Sequence, residues 1–96
     1  MAEFDPPPLF DMYYIYVLQS KKDKSVYIGY TNDLKKRFAE HNKGLCISTK
    51  SKRPFCLVYC EGYSSEIDAR TRERRLKQFK NAYKELLKRI NSCLEK

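Results

Sequence analysis

Two tyrosines, an arginine, a histidine and a glutamate have the types and spacing for acid–base and phosphate chemistry: Tyr16, Tyr27, Arg37, His41 and Glu73. A phenol can pass a proton to or from water, but its reference pKa of about 10 requires help from a neighbouring cation or metal. Arginine offers a permanently charged fork for phosphate oxygens. A carboxylate can hold a metal ion. Together these groups suit metal-assisted phosphodiester hydrolysis.

The first elements of the chain predict a hairpin that carries both tyrosines. Residues 12–20 (MYYIYVLQS) and 25–31 (SVYIGYT) are rich in aromatic and β-branched residues, and a short polar turn joins them. In the register that this turn suggests, Tyr16 and Tyr27 lie close together on one face, where core packing is the alternative role. Gly29 shares the face of Tyr27, and a strand glycine often marks a bulge or a close backbone approach.

A helix is predicted directly after the hairpin. Thr31 or Asn32 is the expected N-cap. Phe38 and His41 belong to an apolar stripe at helical spacing, and Arg37 borders that stripe. His41 is therefore either a structural residue beside Phe38 or a group that orients a nucleophile or contacts a phosphate.

The second half of the chain predicts a strand and two helices. A basic loop leads to a strand at 55–63 (FCLVYCEGY), and Ser64 or Ser65 caps the next helix. Its inward stripe holds Ala69, Glu73, Leu76 and Phe79 or Lys80. An amphipathic helix follows over 81–94, with the break between the two helices near Lys80–Asn81.

Glu73 is unusual because a charged residue is expected to face inwards. Burying a carboxylate is costly unless it is paired or binds a metal. Three explanations stay open: an ion pair with an arginine such as Arg37, a partly solvated rim position, or a metal ligand. A lone carboxylate suits a hydrated Mg²⁺, which keeps several of its waters.

These elements predict one α+β domain over residues 12–96. Their order, β-β-α-β-α-α, indicates a small three-stranded antiparallel sheet flanked by helices. Residues 1–11 (MAEFDPPPLFD) contain three consecutive prolines and predict an extended or disordered leader, which could be vector-derived.

Charge favours a polyanionic partner. Residues 12–96 contain 20 basic and nine acidic residues, a net charge of +11. A basic surface that only confers solubility is the alternative. The basic side chains expected to contact a nucleic-acid backbone are Lys50, Lys52 and Arg53 in the loop and Arg70, Arg74 and Arg75 on the helix.

Cysteines and hydropathy point to the cytoplasm. No apolar run approaches the roughly 18 residues of a membrane span, and the N-terminus lacks a signal-peptide pattern. Cys56 and Cys60 lie roughly 13 Å apart along one strand, too far for one disulfide or one tetrahedral zinc. We therefore expect free thiols in a reducing compartment.

Several ordered motifs resemble those of the GIY-YIG nuclease superfamily. They are YIYVL at 14–18, YIG at 27–29, an arginine ten residues after the second tyrosine, a histidine four residues later, and ARTRERRLK at 69–77. The resemblance covers residues 12–91. It is strongest to small stand-alone bacterial members, which are similar to the incision domain of the nucleotide-excision-repair nuclease.

The resemblance implies a role for each residue. Tyr16 and Tyr27 stand at the two motif tyrosines, one of which is proposed to help activate the attacking water. Arg37 matches the catalytic arginine, Glu73 the single divalent-metal ligand, and His41 a histidine common in this branch.

The sequence also differs from the family pattern. Tyr14 replaces the glycine of the first motif, and Tyr30 fills a slot that holds a lysine in some members. Asn91, or alternatively Asn81, stands for a polar asparagine late in the domain.

The implied function is a phosphodiester hydrolase: an endonuclease that uses one Mg²⁺ or Mn²⁺ ion to cleave DNA. It could be structure-selective and linked to DNA repair or recombination, with a protein partner that supplies specificity. RNA is not excluded, and the oligomeric state stays open. The alternatives are a nucleic-acid-binding module with little turnover and a protein-interaction domain whose basic face docks an acidic partner.

Overall fold

The computed structural model describes residues 11–96, so the leader predicted for 1–11 lies outside the described residues except for Asp11. Three strands form the sheet: β1 (Tyr13–Ser20), β2 (Val26–Thr31) and β3 (Phe55–Tyr63). Three helices accompany them: α1 (Leu34–Asn42), α2 (Glu66–Gln78) and α3 (Lys80–Arg89). The predicted element order and the α+β class are confirmed.

The sheet is antiparallel, with strand order β2-β1-β3. Because β1 lies in the centre, its last six residues are buried, as expected for a strand with neighbours on both sides and helices on both faces. β2 is an edge strand. In the hairpin, Tyr16 pairs with Gly29 and Leu18 with Tyr27, so alternate residues of β1 and β2 share a face as the sequence predicts.

Two apolar clusters fill the two sides of the sheet. On one side, Ile15 and Val17 of β1 pack with Ala69, Leu76 and other residues of α2 and α3. On the other side, Tyr16, Leu18 and Phe55 are buried with the partly buried Tyr27, Leu34 and Phe38. The second cluster joins α1 to the sheet and underlies the site described below.

The N-cap of α1 differs from the prediction. Asp33, not Thr31 or Asn32, is the cap, and its side chain accepts a hydrogen bond from the backbone N–H of Lys36 at 3.1 Å. Thr31 instead accepts from the backbone N–H of Asp33 at 3.0 Å. The Thr31 side chain therefore bonds the backbone of Asp33, and the Asp33 side chain in turn caps the helix. The prediction assumed that one side chain alone forms the cap.

The junction of α2 and α3 lies close to its predicted place. Ser65 caps α2 as expected, and the break lies at Phe79, whose backbone is extended, one residue before Lys80–Asn81. Phe79 is 54% exposed and Lys80 is also exposed, so the prediction that one of them continues the inward stripe is wrong. Where a helix ends, its 3.6-residue period no longer fixes the direction of the side chain.

The four cysteines are free, as expected. Within residues 11–96, no helix is long and apolar enough to cross a membrane.

Candidate functional site

Tyr16 and Gly29 make the closest approach in the hairpin. They are paired across β1 and β2, and the Tyr16 ring lies directly over the glycine. A Cβ atom at position 29 would come within 2.3 Å of the Tyr16 hydroxyl oxygen and 2.4 Å of its Cζ. The glycine of the YIG motif therefore leaves the space that the Tyr16 phenol occupies, which is the close approach predicted for it.

A chain of buried hydrogen bonds begins at the Tyr16 hydroxyl. This oxygen lies 2.8 Å from Nε2 of His41, and Nδ1 of His41 lies 2.8 Å from Oγ1 of Thr49. The Thr49 hydroxyl donates to the carbonyl oxygen of Cys46 at 3.4 Å. Tyr16, His41 and Thr49 are each no more than 2% exposed. The network joins β1, α1 and the loop that follows α1.

The network defines the tautomer of His41. Because the single Thr49 hydroxyl proton is given to Cys46, Thr49 accepts a hydrogen bond from Nδ1–H of His41. Nε2 is then the unprotonated nitrogen that accepts from Tyr16. Burial lowers the pKa of His41, and the nearby charge of Arg37 lowers it further. His41 is therefore a neutral hydrogen-bond acceptor at neutral pH.

Tyr16 is a neutral phenol for a related reason. Burial raises the pKa of Tyr16 to about 12, and the opposing interaction with the Arg37 guanidinium offsets only part of this effect. Interaction with the Tyr16 hydroxyl in turn raises the pKa of Arg37 above its usual range. Arg37 thus brings a permanent positive charge close to the buried phenol.

Tyr27 is the more accessible of the two motif tyrosines. Its ring centroid is 6.3 Å from that of Tyr16 and 5.1 Å from that of His41. It is half-buried and lines an open groove, whereas Tyr16 is 1% exposed. The predicted closeness of the two tyrosines is confirmed, and only one of them presents a surface to a substrate.

Glu73 belongs to α2, and the structure links it to this cluster through Lys77. The Lys77 ammonium lies 3.0 Å from Oε2 of Glu73 and 5.7 Å from the Tyr27 ring centroid. The Glu73 side chain is 22% exposed, which matches the partly solvated rim position among the alternatives. Arg37, which was considered above as an ion-pair partner of Glu73, pairs with Glu40 instead, at 3.1 Å.

Hydrogen bonds between Arg72 of α2 and Glu61 of β3 hold the two elements together, one residue before Glu73. Arg72 makes two hydrogen bonds of 2.9 Å to the Glu61 carboxylate, which also accepts from Tyr59 and Tyr63 at 2.9 Å. Burial alone would raise the pKa of Glu61, but the bonds from Arg72, Tyr63 and Tyr59 outweigh it and lower that pKa. These hydrogen bonds fix the part of α2 that carries Glu73.

Glu73 fits one kind of metal. Residues 11–96 contain no group of three or more His, Cys, Asp or Glu side chains placed to hold an ion, which does not suit a tetrahedral zinc. A hydrated Mg²⁺ is commonly bound by one or two carboxylates together with substrate phosphates. A single, partly solvated carboxylate on a basic helix meets that requirement.

The predicted substrate contacts lie on two elements. Lys50, Lys52 and Arg53 are exposed in the turn before β3, and Arg70 and Arg74 are exposed on α2. Two of the arginines already have partners. Arg70 lies 4.1 Å above the Tyr30 ring and pairs with Glu66, and Arg53 covers Gly44. Asn81 and Asn91 are exposed on α3 and in the turn after it, and their role stays a prediction.

Sequence reasoning missed two members of the site. Lys77 was visible as the (i, i+4) partner of Glu73 on a helix, but its closeness to Tyr27 depends on how α2 packs. Thr49 carries no local signal, because it lies in an irregular loop whose path is set by tertiary contacts.

Comparison with known proteins settles the family. The sequence profile described as the GIY-YIG catalytic domain matches residues 12–91. The chain belongs to the GIY-YIG family. This is a nuclease family whose members generally use a divalent metal and act on nucleic acid.

The GIY-YIG relatives are small proteins of similar length. A UPF0213 protein of Staphylococcus haemolyticus is 41% identical over 73 residues, which are 75% of this chain and 88% of that protein. A UPF0213 protein of Halobacterium salinarum is 39% identical over 77 residues, 79% and 99% of the two chains. The names of these relatives specify no activity.

A solved GIY-YIG relative supports the fold. The solution NMR structure of a UPF0213 protein from Bacillus halodurans is 34% identical and has a TM-score of 0.51, covering 79% of this chain and 81% of that one. The identification as a small GIY-YIG protein is confirmed.

Proposed function

We propose that the protein is a divalent-metal-dependent endonuclease that hydrolyses phosphodiester bonds in DNA, with RNA as a second substrate to be tested. The observation that carries this proposal is the convergence of Tyr16, Tyr27, Arg37 and His41 on one side of the sheet, with ring centroids 5.1 to 6.3 Å apart. In a chain of a nuclease family, this cluster supplies proton transfer and phosphate binding at one place.

Tyr27 is the tyrosine that we assign to the attacking water. Its half-buried ring borders open space, while the Tyr16 hydroxyl is buried and occupied by His41. As the water oxygen bonds to phosphorus, the water proton passes to the Tyr27 hydroxyl oxygen, which releases its own proton to solvent. The bond from phosphorus to one ester oxygen breaks, and that oxygen takes up a proton from solvent.

Tyr16 and His41 have a positioning role: they hold Tyr27 and Arg37 in place. The buried chain through Thr49 holds the His41 ring edge-on to Tyr27 and holds the Tyr16 hydroxyl beside Arg37. Arg37, with 38% of its side chain exposed, is then oriented to bind a non-bridging phosphate oxygen and to stabilise the charge that builds during attack.

Glu73 would hold the metal ion. A bound Mg²⁺ or Mn²⁺ supplies charge stabilisation to the phosphate and its leaving oxygen. Lys77 shares the Glu73 carboxylate in this structure, so metal binding requires the lysine to give up that contact.

The basic side chains would position DNA without reading its sequence. Lys50, Lys52, Arg53, Arg70 and Arg74 suit phosphate contacts, which fix register and orientation but carry no sequence information. We therefore propose that cleavage is selective for DNA structure, in repair or recombination in the cytoplasm, with a protein partner that adds specificity.

Cleavage assays with point variants test the proposed function. Wild type, Glu73→Gln, Arg37→Ala and Tyr27→Phe are incubated with branched, single-stranded and plasmid DNA in Mg²⁺ or Mn²⁺. We expect each variant to lose roughly 100-fold or more in cleavage rate. Glu85→Gln is the matched control, because Glu85 is an exposed α3 acid paired with Lys88. Cleavage that persists in all three variants would point to contamination or to another site.

A nucleic-acid-binding module with little turnover is the second candidate. It is favoured by the ion pairs that occupy both charged groups, Glu73 with Lys77 and Arg37 with Glu40. In that case, salt-sensitive DNA binding persists in Glu73→Gln, and wild type gives no metal-dependent product.

A further inference from the structure

A groove of about 480 Å³ opens beside Tyr27, where the edge strand β2 meets the junction of α2 and α3. Residues 26–28 of β2 and residues 76–80 of the junction line it, together with Tyr83. Small-molecule and cofactor sites commonly have volumes of about 300 to 1,000 Å³. The groove is continuous with Tyr27, the residue to which we assign the attacking water.

Phe79 gives the groove an exposed aromatic surface. It is 54% exposed at the helix break, so it contributes little to the core at this point. Tyr27 and Tyr83 are two further aromatic residues among those that line it. Exposed aromatic side chains in a basic groove stack nucleic-acid bases without regard to their sequence.

The charge of the groove matches a nucleic-acid strand. Lys77 and Lys80 line it, and the lining residues found within 11–96 include no Asp or Glu. Lys77 is shared with Glu73, but Lys80 begins α3 on the exposed surface. Cations beside aromatic faces suit a base whose flanking phosphates must also be held.

We propose that this groove binds an unpaired nucleobase next to the phosphate that lies at Tyr27, with Phe79 as its stacking platform. The proposal deepens the proposed function and depends on it for the position of the phosphate. It names the substrate class: DNA that presents an unpaired base beside the cleavage point, as at a flap, a gap or a single-stranded end.

Binding of matched strands tests this proposal without any cleavage. Fluorescence anisotropy in EDTA compares a labelled oligothymidine about 12 nucleotides long, within common single-strand site sizes, with an abasic strand of equal length and charge. The variants are Phe79→Leu, which removes the aromatic ring, and Phe79→Tyr, which keeps it. Ile67→Ala is the matched control, because Ile67 is an apolar α2 residue that is 77% exposed outside the groove.

We expect Phe79→Leu to weaken binding of the base-bearing strand roughly tenfold, and Phe79→Tyr and Ile67→Ala to bind it as wild type does. The abasic strand should bind wild type and Phe79→Leu equally. Equal losses on both strands, or no loss in Phe79→Leu, would overturn the proposal.

Cleavage assays separate this proposal from the proposed function. If wild type cleaves DNA while Phe79→Leu binds both strands normally, the stacking proposal fails and the nuclease assignment stands. If the base-dependent affinity is present but wild type cleaves nothing, the groove assignment stands and the nuclease assignment fails.

Discussion

Gly29 shows at the scale of one residue why the second strand motif needs a glycine. The glycine does not adopt an unusual backbone conformation. It faces the Tyr16 ring across the hairpin at a distance that leaves no room for a methyl group. The hydrogen bond from Tyr16 to His41 depends on this position of the ring. The absence of a side chain at position 29 therefore allows the buried hydrogen-bond network to form.

Gly29→Ala is therefore expected to destabilise the protein by about 2 kcal/mol, because the Tyr16 ring must move and the surrounding core is already packed. Urea unfolding followed by circular dichroism measures the free energy of unfolding. Gly62→Ala is the matched control on β3, where a Cβ atom would lie 3.2 Å from Met12 and 3.3 Å from Tyr14. These longer distances predict a smaller destabilisation. Equal stability of the two variants would contradict the steric explanation.

The network of Tyr16, His41 and Thr49 connects three elements. Tyr16 comes from β1, His41 from α1, and Thr49 from the loop before β3. The last turn of α1 also contacts β3, because the Asn42 side chain bonds both the N–H and the carbonyl of Phe55 at 2.7 and 3.2 Å. Polar contacts thus fix the end of α1, where the site residue His41 lies.

The pH dependence of stability tests how these elements are joined. The folded-state pKa of His41 lies below its ordinary 6.5 because of burial and the charge of Arg37. The folded protein therefore binds fewer protons than the unfolded chain as pH falls below about 6.5. The resulting stability is fully present above that pH and is lost as pH falls through the folded pKa.

His41 is the only histidine in the chain, so its ring C2 proton can be followed by NMR without assignment. We expect its titration midpoint to lie below the value measured in urea. Between pH 7 and pH 5, the free energy of unfolding should decrease more in wild type than in His41→Gln. A midpoint at or above 6.5 would show that the ring is not buried as a neutral acceptor.

The elements were largely predictable from the sequence, and the terminal residues at their junctions were not. Alternation in β1 and β2 and the helical stripes reflect burial on one face, which a local pattern records. The N-cap at Asp33 and the break at Phe79 depend on competition between neighbouring residues and on tertiary packing. Residue spacing and resemblance to a family supplied the proposed site residues, but the closeness of Lys77 to Tyr27 needed the structure.

At the scale of the whole molecule, positive charge is found on both sides of the sheet. Lys50 and Lys52 form the turn that directly follows Thr49, so they are attached to the buried network of the site. Lys84 and Lys88 are also exposed, on α3, which packs against the opposite side of the sheet. Tyr16 and Tyr27 pack on the α1 side, so the proposed function requires the first pair to bind DNA. The second pair follows the groove residue Tyr83 on α3 and is not among the residues proposed to contact duplex DNA.

Salt dependence of duplex binding distinguishes local phosphate binding from overall charge. The double variants Lys50→Gln/Lys52→Gln and Lys84→Gln/Lys88→Gln each remove two charges. Each pair also contains one lysine in a surface ion pair, Lys52 with Asp23 at 3.6 Å and Lys88 with Glu85 at 3.5 Å. The slope of log K against log salt changes by about 0.9 for each phosphate that the protein ceases to neutralise. We expect the first variant to lower its magnitude by up to about 1.8 and the second to leave it nearly unchanged. Equal changes in both would mean that DNA responds to net charge alone, and the proposed position of the substrate would then be wrong.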